Sequence, residues 1–522
     1  MSTLCHIYSL VSKHLLKEVE AIRKDPRPFQ IDTLHHLLDH GARTLFGKMH
    51  HFTSILGLEE FQKCVPLHSY PQLLPYIERI RKGERHVLWD QDVQWFAKSS
   101  GTGGAKSKYI PIPDQSLRLC HQKGMRSVLA VYLNNNPYSK LFNGKSLTLG
   151  GSCKVDEMGF GNTRYGDLSA VLLSRSPFWA EIFRTPPKSI VLQDDFSKKL
   201  KEITTYIAHQ NVVSFSGVPS WNLLLMRQLL EHTGKSTLLD IWPRLELFMH
   251  GGISFEPYRE QFQRLIPSNQ MHYLETYNAS EGFFAFQDDP SDSGMLLLPH
   301  NGVFYEFIPM KRFQEALDGE YVHFDTLESV QKGVDYAVVI STNGGLWRYL
   351  IGDTVRFSSL FPHKITISGR TALFINAFGE ELQIHQAEKA LVDCCRVHQA
   401  MVSDFTVAPV FMSLQQKGAH EWLIEFDVPP SDLALFVADL DRALCRYNSD
   451  YEAKRANDAT MLPPKIKALY SGCFHHWLQQ QNRMGGQFKV PRLSGSREYV
   501  ESLLMLNQHY HKANGEINPG NI

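Results

Sequence analysis

The stretch from residue 145 to 277 sets the fold class, because extended and helical patterns take turns along it. Residues 147–149, 189–192, 212–215, 245–249 and 271–277 read as strands. Between them, residues 196–209, 221–232 and 257–265 carry apolar side chains at helical spacing. Alternating strands and helices imply an α/β core, whose ligands bind beyond the C-terminal ends of the strands. Residues 295–370 change texture to short alternating strands with Gly, Asp and Asn turns. Residues 1–85 read as helical: Leu15, Val19 and Ile22 share one face, as do Leu73, Ile77 and Ile80, with Pro66, Pro71 and Pro75 punctuating the connection. A further helix is expected over 114–133, with Asp114 as its N-cap.

A chain of 522 residues is too long for one ordinary core, so two or more domains are expected. From about Gln383 a smaller α+β domain of roughly 140 residues reads as a helix over 383–397, strands over 405–412 and 422–426, and a helix over 431–448. The 54 basic and 54 acidic side chains balance, which argues against a general nucleic-acid binder. No apolar run approaches the roughly 20 residues of a membrane span. His6, Ser9, Ser12 and Lys13 interrupt the first 17 residues, which read as the amphipathic helix of a cytoplasmic protein rather than a signal peptide. The eight cysteines are scattered without a C-x-x-C, the pattern of reduced, mostly buried thiols. The 24 histidines include no H-E-x-x-H or similar metal spacing.

Chemistry concentrates in Ser99-Ser100-Gly101-Thr102-Gly103-Gly104-Ala105-Lys106-Ser107-Lys108. Hydroxyls and glycine-freed N–H groups can donate to phosphate oxygens, and the lysines supply positive charge. The loop is neither a Walker P-loop nor a G-x-G-x-x-G fingerprint. Taken alone, it reads equally as a flexible turn or as a phosphate cradle. Three more polar groups are expected in loops after strands. In Tyr277-Asn278-Ala279-Ser280-Glu281-Gly282 an aromatic ring can stack on a base and a carboxylate can hold Mg²⁺. In Tyr349-Leu350-Ile351-Gly352-Asp353 a carboxylate can accept from two ribose hydroxyls. Gly369-Arg370 and Gly379-Glu380-Glu381 lie where the texture changes, as a linker or hinge would. In isolation, each of these groups reads as an ordinary polar turn at least as readily.

The order of these pieces resembles the adenylate-forming superfamily. More closely, it is similar to the plant auxin- and jasmonate-conjugating acyl acid amido synthetases, the Gretchen Hagen family, and their bacterial relatives. The resemblance covers nearly the whole chain, including Thr44-Leu45-Phe46-Gly47-Lys48, Gly217-Val218-Pro219-Ser220-Trp221 and Gln487-Phe488-Lys489-Val490-Pro491-Arg492. The chain's length and its Ser-Glu-Gly run fit the bacterial branch better. The resemblance implies a large N-terminal adenylate-forming domain with mixed sheets and helices (1–374), which binds ATP and acid. It also implies a small mobile α+β C-terminal domain (375–522) carrying Lys489.

By the same resemblance, Ser99, Ser100, Gly101 and Thr102 would hold the nucleotide phosphates, with Lys108 nearby. Gly251 and Gly252 would shape the adenine pocket beside Tyr277. Ser280 would border the α-phosphate, Glu281 would hold Mg²⁺, and Asp353 and Arg370 would sit at the ribose. Lys489 would reach the acid carboxylate and the α-phosphate, making Lys489, Thr102 and Glu281 the catalytic set. The implied activity is ligation: an acid is activated as its acyl-adenylate and passed to an amine, expected to be an amino acid. The expected partners are a small carboxylic acid and an amine, with neither nucleic acid nor a membrane expected; the oligomeric state is left open, a monomer being compatible with the sequence. Residues 216–225 and 163–173 could line the acid pocket, or simply pack the core. An acyl-CoA or other thioester ligase shares the first half-reaction. A non-catalytic nucleotide-binding protein is the other alternative, against which the joint presence of Thr102, Glu281, Asp353 and Lys489 argues. The chain departs from the plant pattern at Gly103, Ala105 and Lys106 in the loop, and Leu373 stands where the superfamily often has an acidic hinge residue.

Overall fold

The N-terminal quarter folds into helices by apolar spacing, as a computed structural model of the chain shows. This structure describes every residue except 1–2, 100–107, 152, 156–162, 194–195, 253–254, 372–373, 376–379, 381, 411–417, 449–450, 453–454, 456–460, 482–489 and 514–522. Helix Lys13–Lys24 buries Leu15, Val19 and Ile22. Helix Tyr70–Arg81 buries Leu73, Ile77 and Ile80 and opens on a Ser69–Gln72 capping box. Pro71 and Pro75 do not punctuate a connection as expected: both lie within this helix. A first-turn proline forfeits no helical hydrogen bond, whereas Pro75 forfeits one. Among the described residues no helix is long and apolar enough to cross a membrane. All eight cysteines are free thiols; Cys64 is exposed, and Cys5, Cys120, Cys394 and Cys473 are buried.

The chain packs into two compact units, one holding Gln263–Thr366 and most of the preceding residues, the other holding the residues from Ile367 onward together with 255–262. The first unit is built from β1 (Trp95–Ser99), β2 (Lys108–Pro111), β3 (Lys145–Thr148), β4 (Cys153–Val155), β5 (Arg164–Gly166), β6 (Arg184–Thr185), β7 (Val212–Gly217), β8 (Leu247–Gly251), β9 (His272–Ala279), β10 (Gly282–Phe286), β11 (Met295–Leu297), β12 (Val303–Pro309), β13 (Asp335–Thr342), β14 (Tyr349–Leu360) and β15 (His363–Arg370), the last of which ends in the second unit. Eleven of these strands form one mixed sheet in the order β12-β13-β14-β15-β11-β10-β9-β8-β7-β3-β6. From β6 to β9 the neighbours are parallel. Their sequences show why: Val212–Phe215 and Leu247–His250 are buried at every residue, as strands covered on both faces require. The crossover helix Pro219–Thr233 begins with Pro219 in its first turn and ends at Gly234 in the left-handed region. A second sheet has the order β2-β1-β5-β4.

Two expectations about this unit are corrected. Residues 189–192 are not a strand: Lys188–Val191 is helical, because Pro187 opens a helical turn and outweighs the β-preference of Ile190 and Val191. Asp114 is not an N-cap; Pro113 holds that place, and Asp114 lies in the first turn. Between Asp114 and Asn135 the helix passes through a π turn at Leu117–Gln122.

The second unit sets β18 (Met401–Val410), β19 (Ala419–Val428) and β20 (Lys465–Leu469) in one sheet, preceded by the β16–β17 pair (Phe374–Ile375 and Leu382–Gln383). Alternate residues of β19 serve two cores. Trp422 and Ile424 pack with Leu391 and Leu440 of helices Ile384–His398 and Leu433–Tyr447, while Leu423 packs with Phe474 and Leu503 of helices Cys473–Gln480 and Glu498–Ala513. Residues 255–262 belong here through long-range bonds: Gln261 Nε2 donates to the Val402 carbonyl at 2.9 Å, and Arg492 donates to the Tyr258 hydroxyl at 2.6 Å.

Candidate active site

Parallel strands leave their C-terminal ends on one edge, and there the first unit gathers its small and polar residues. β3 leads to Gly150-Gly151, β7 ends at Gly217, β8 at Gly251 and β9 at Ala279. Register pairs Gly217 with His250 and Gly251 with Thr276. At Gly251 a Cβ would lie 2.3 Å from the Thr276 carbonyl oxygen, so only glycine fits, and Gly252 sits exposed with φ of 81°. Beyond β9 the chain reverses through Ser280-Glu281, closed by the Ala279–Gly282 pair. Glu281 is 8% exposed despite its charge.

Tyr277 lies in the strand expected over 271–277, which runs on to Ala279, whereas Asp353 does not lie in a loop as expected. Tyr277 is inside β9, and Asp353 is inside β14 after Gly352, whose φ is 94°. The Tyr277 hydroxyl donates to Asp353 Oδ2 at 2.7 Å, joining residues 76 positions apart. Both side chains are buried, and the Tyr277 ring packs edge-on against Phe284 with centroids 4.9 Å apart. Between Tyr349 and Asp353 the pairing of β14 with β13 shifts register, and Gly352, in the left-handed region, sits within that irregularity.

Ser99 and Lys108 are cross-strand partners in the β1–β2 hairpin, so they close the loop of residues 100–107. The Lys108 ammonium donates to the Tyr349 hydroxyl at 3.1 Å, with the rings of Tyr70 and Tyr349 at 5.8 and 5.7 Å. The loop's closing residue is thereby tied to the strand that carries Asp353. Lys98, which sequence reading passed over, stands beside this pair. Burial, and then the charges of Lys154 and Arg81, hold its ammonium below the usual lysine range. Just before β14, Arg348 is fixed in a buried network. Its Nε lies 3.0 Å from Glu306 Oε2, and its Nη1 donates to the carbonyls of Gln62 and Val65 at 2.8 Å each. This anchor sets where β14 begins.

The first unit thus brings together Lys108 with Tyr349, and Tyr277 with Asp353, and places Gly251, Gly252, Ser280 and Glu281 at strand ends. Arg370 ends β15 in the second unit, with its side chain exposed. Ser100, Gly101, Thr102 and Lys489 lie outside the described residues. Among the described residues no group of three or more His, Cys, Asp or Glu could hold a metal. A lone carboxylate such as Glu281 suits Mg²⁺, which keeps water and phosphate as its other ligands. Sequence reading also missed Cys120 and His121, whose only sequence signal was their place in the helix after the Ser/Gly loop.

Three family models match the chain: the GH3 family N-terminal domain over residues 15–271, the central domain over 296–370 and the C-terminal domain over 385–498. The chain is 25% identical to the jasmonoyl–L-amino acid synthetase GH3.5 of Oryza sativa subsp. japonica, over 94% of this chain and 96% of that one. It is 22% identical to the indole-3-acetic acid-amido synthetase GH3.6 of Arabidopsis thaliana, over 94% and 92%. Among solved structures, a GH3.15 acyl acid amido synthetase matches with a TM-score of 0.76 and 18% identity, over 94% of this chain and 95% of that one. A 2-hydroxyisobutyryl-CoA ligase shares the fold more distantly, with a TM-score of 0.59 and 12% identity over 91% of each chain. With all three of its domain models matched in order along the chain, this protein belongs to the GH3 family.

Proposed function

We propose that the protein is an ATP-dependent acyl acid amido synthetase, which activates a carboxylic acid as its acyl-adenylate and passes the acyl group to an amino acid. The observation that carries this reading is the strand-edge constellation of a GH3-family chain: Lys108 tied to Tyr349, Tyr277 tied to Asp353, and Glu281 in the turn after β9. A carboxylate is a poor acyl donor, because its leaving group would be oxide. Attack of a carboxylate oxygen on the α-phosphorus of ATP expels pyrophosphate and converts that leaving group to AMP. An amine then attacks the acyl carbon, and AMP departs.

The protein's part is positioning and charge stabilisation. Ser99, Ser100, Gly101, Thr102 and Lys108 hold the phosphates. Gly251 and Gly252 leave room for the adenine beside Tyr277, and Asp353, oriented by the Tyr277 hydroxyl, accepts the ribose hydroxyls with Arg370 nearby. Ser280 borders the α-phosphate. Glu281 holds Mg²⁺, which neutralises phosphate charge when bound. Lys489, carried by a small domain over 375–522 that moves between the half-reactions, meets the carboxylate and α-phosphate as charge builds there. The enzyme works in the cytoplasm.

ATP-dependent pyrophosphate release, screened across acids with and without each amino acid and followed by product mass, tests the reading. An amide product is expected. A thioester formed with CoA and no amide would make it a thioester ligase, and no release with any acid would make it a non-catalytic nucleotide binder. Lys489→Ala is expected to slow pyrophosphate release far more than it weakens ATP binding; equal release in variant and parent would remove Lys489 from the chemistry.

A further inference from the structure

A π turn alters the side-chain bearings that a regular helix would give, and such turns concentrate at functional sites. The π turn at Leu117–Gln122 brings two consecutive side chains, Cys120 and His121, to one hairpin. The Phe283 N–H donates to Cys120 Sγ at 3.2 Å, and His121 Nδ1 lies 3.2 Å from Asn278 Oδ1. Phe283 and Asn278 face each other across the β9–β10 hairpin, next to the Ala279–Gly282 pair that closes its turn. One helical step therefore grips both strands of the hairpin that presents Ser280 and Glu281. The fit is close: a Cβ at Gly282 would lie 3.3 Å from Cys120 Sγ, and one at Gly124 would lie 2.5 Å from the Phe283 ring.

Both gripping groups are neutral. Burial pushes the Cys120 thiol up to about 12 and pulls the His121 imidazole down to about 4. With Asn278 presenting its amide oxygen, His121 donates from Nδ1 and keeps a bare Nε2. That nitrogen is buried without a hydrogen-bond partner among the described residues. An aromatic ring without nitrogen would fill the space with no orphaned acceptor, so the histidine is a poor choice for packing alone.

We propose that Cys120 and His121 are positioning residues, which fix the Ser280-Glu281 turn so that the Glu281 carboxylate meets the divalent cation accompanying ATP. They act through the hairpin and touch neither cation nor nucleotide. The inference rests on the reading of Glu281 as the cation's protein ligand.

The test is calorimetric titration of ATP at a series of Mg²⁺ concentrations with no acid present, so that binding is read without turnover. E281Q should raise the Mg²⁺ needed for half-maximal ATP binding. Residues that hold a metal ligand in place typically change metal affinity by roughly 10- to 100-fold. H121F and C120A should therefore each raise the requirement about tenfold, while H121Q, whose amide can donate to Asn278, should recover most of the loss. C120A keeps the test open should H121F fail to fold. If E281Q shifts the Mg²⁺ requirement while H121F and C120A match the parent, the inference falls and the site reading stands. If E281Q itself changes nothing, the site reading falls and takes the inference with it.

Discussion

Replacing Tyr277 by Phe deletes one oxygen and leaves the ring on Phe284. That oxygen donates to Asp353 Oδ2 at 2.7 Å, and the two residues are 5% and 7% exposed. A hydrogen bond to a charged group contributes about 1.5–3 kcal/mol. In the proposed complex the carboxylate must already face two ribose hydroxyls when ATP arrives. Without the phenol it samples other rotamers, and apparent affinity falls by the fraction of molecules that leave the competent one. A tenfold loss corresponds to about 1.4 kcal/mol, just below the lower end of what the bond supplies. Y277F should therefore weaken ATP binding up to about tenfold in a fluorescence or calorimetric titration. Titrating ATP against 3′-deoxy-ATP sharpens the test. The parent should discriminate between the two nucleotides, whereas D353N should discriminate far less, because the acceptor is changed. Parent-like ATP affinity in Y277F, or undiminished discrimination in D353N, would refute the reasoning.

His68 and His121 are both held near pH 4 by burial, below the ordinary value of 6.5. Their folded-state pKa values are depressed, so the unfolded chain takes up protons first, and each costs roughly 3 kcal/mol of stability as pH falls from about 6.5 to 4. Urea unfolding at stepped pH should show this decline, and H121F should flatten it; a pH-independent parent would contradict it. G251A pushes a methyl to 2.3 Å from the Thr276 carbonyl and should destabilise by about 1–3 kcal/mol, read as a shifted urea midpoint. R348M strands the buried Glu306 charge and should cost about 3–5 kcal/mol, whereas the double variant R348M/E306Q should recover part of that loss; additive losses would show that the pair is not coupled.

The parallel half of the fold was legible because runs such as Val212–Phe215 and Leu247–His250, apolar at three of four positions, alternate with segments of helical spacing, as strands buried on two faces and their crossovers do. Motif order along the chain put forward Lys108, Tyr277, Glu281 and Asp353, and the structure joins Lys108 to Tyr349 and Tyr277 to Asp353. Asp353 was expected in a loop, since a polar residue beside glycine reads as a turn, yet β14 continues through Gly352-Asp353 by way of a register shift, with Gly352 in the left-handed region. The bond that joins Tyr277 to Asp353 spans 76 residues, and local pattern holds no record of such a pairing. The Lys188–Val191 helix was misread because two β-branched residues outweighed the proline before them in the reading but not in the fold. The assignment of residues 255–262 to the second unit depends on Gln261 and Tyr258 meeting Val402 and Arg492, which sequence spacing cannot foresee. The π turn at Leu117–Gln122, which aims Cys120 and His121, was not foreseen in the helix expected over 114–133.

The central claim is that a carboxylate oxygen attacks the α-phosphorus of ATP. It is tested most directly by turnover with an acid labelled with ¹⁸O in both carboxylate positions, followed by mass spectrometry of every product. The account predicts one ¹⁸O in AMP, one in the amide and none in pyrophosphate. Label in inorganic phosphate with release of ADP, or unlabelled AMP, would contradict it.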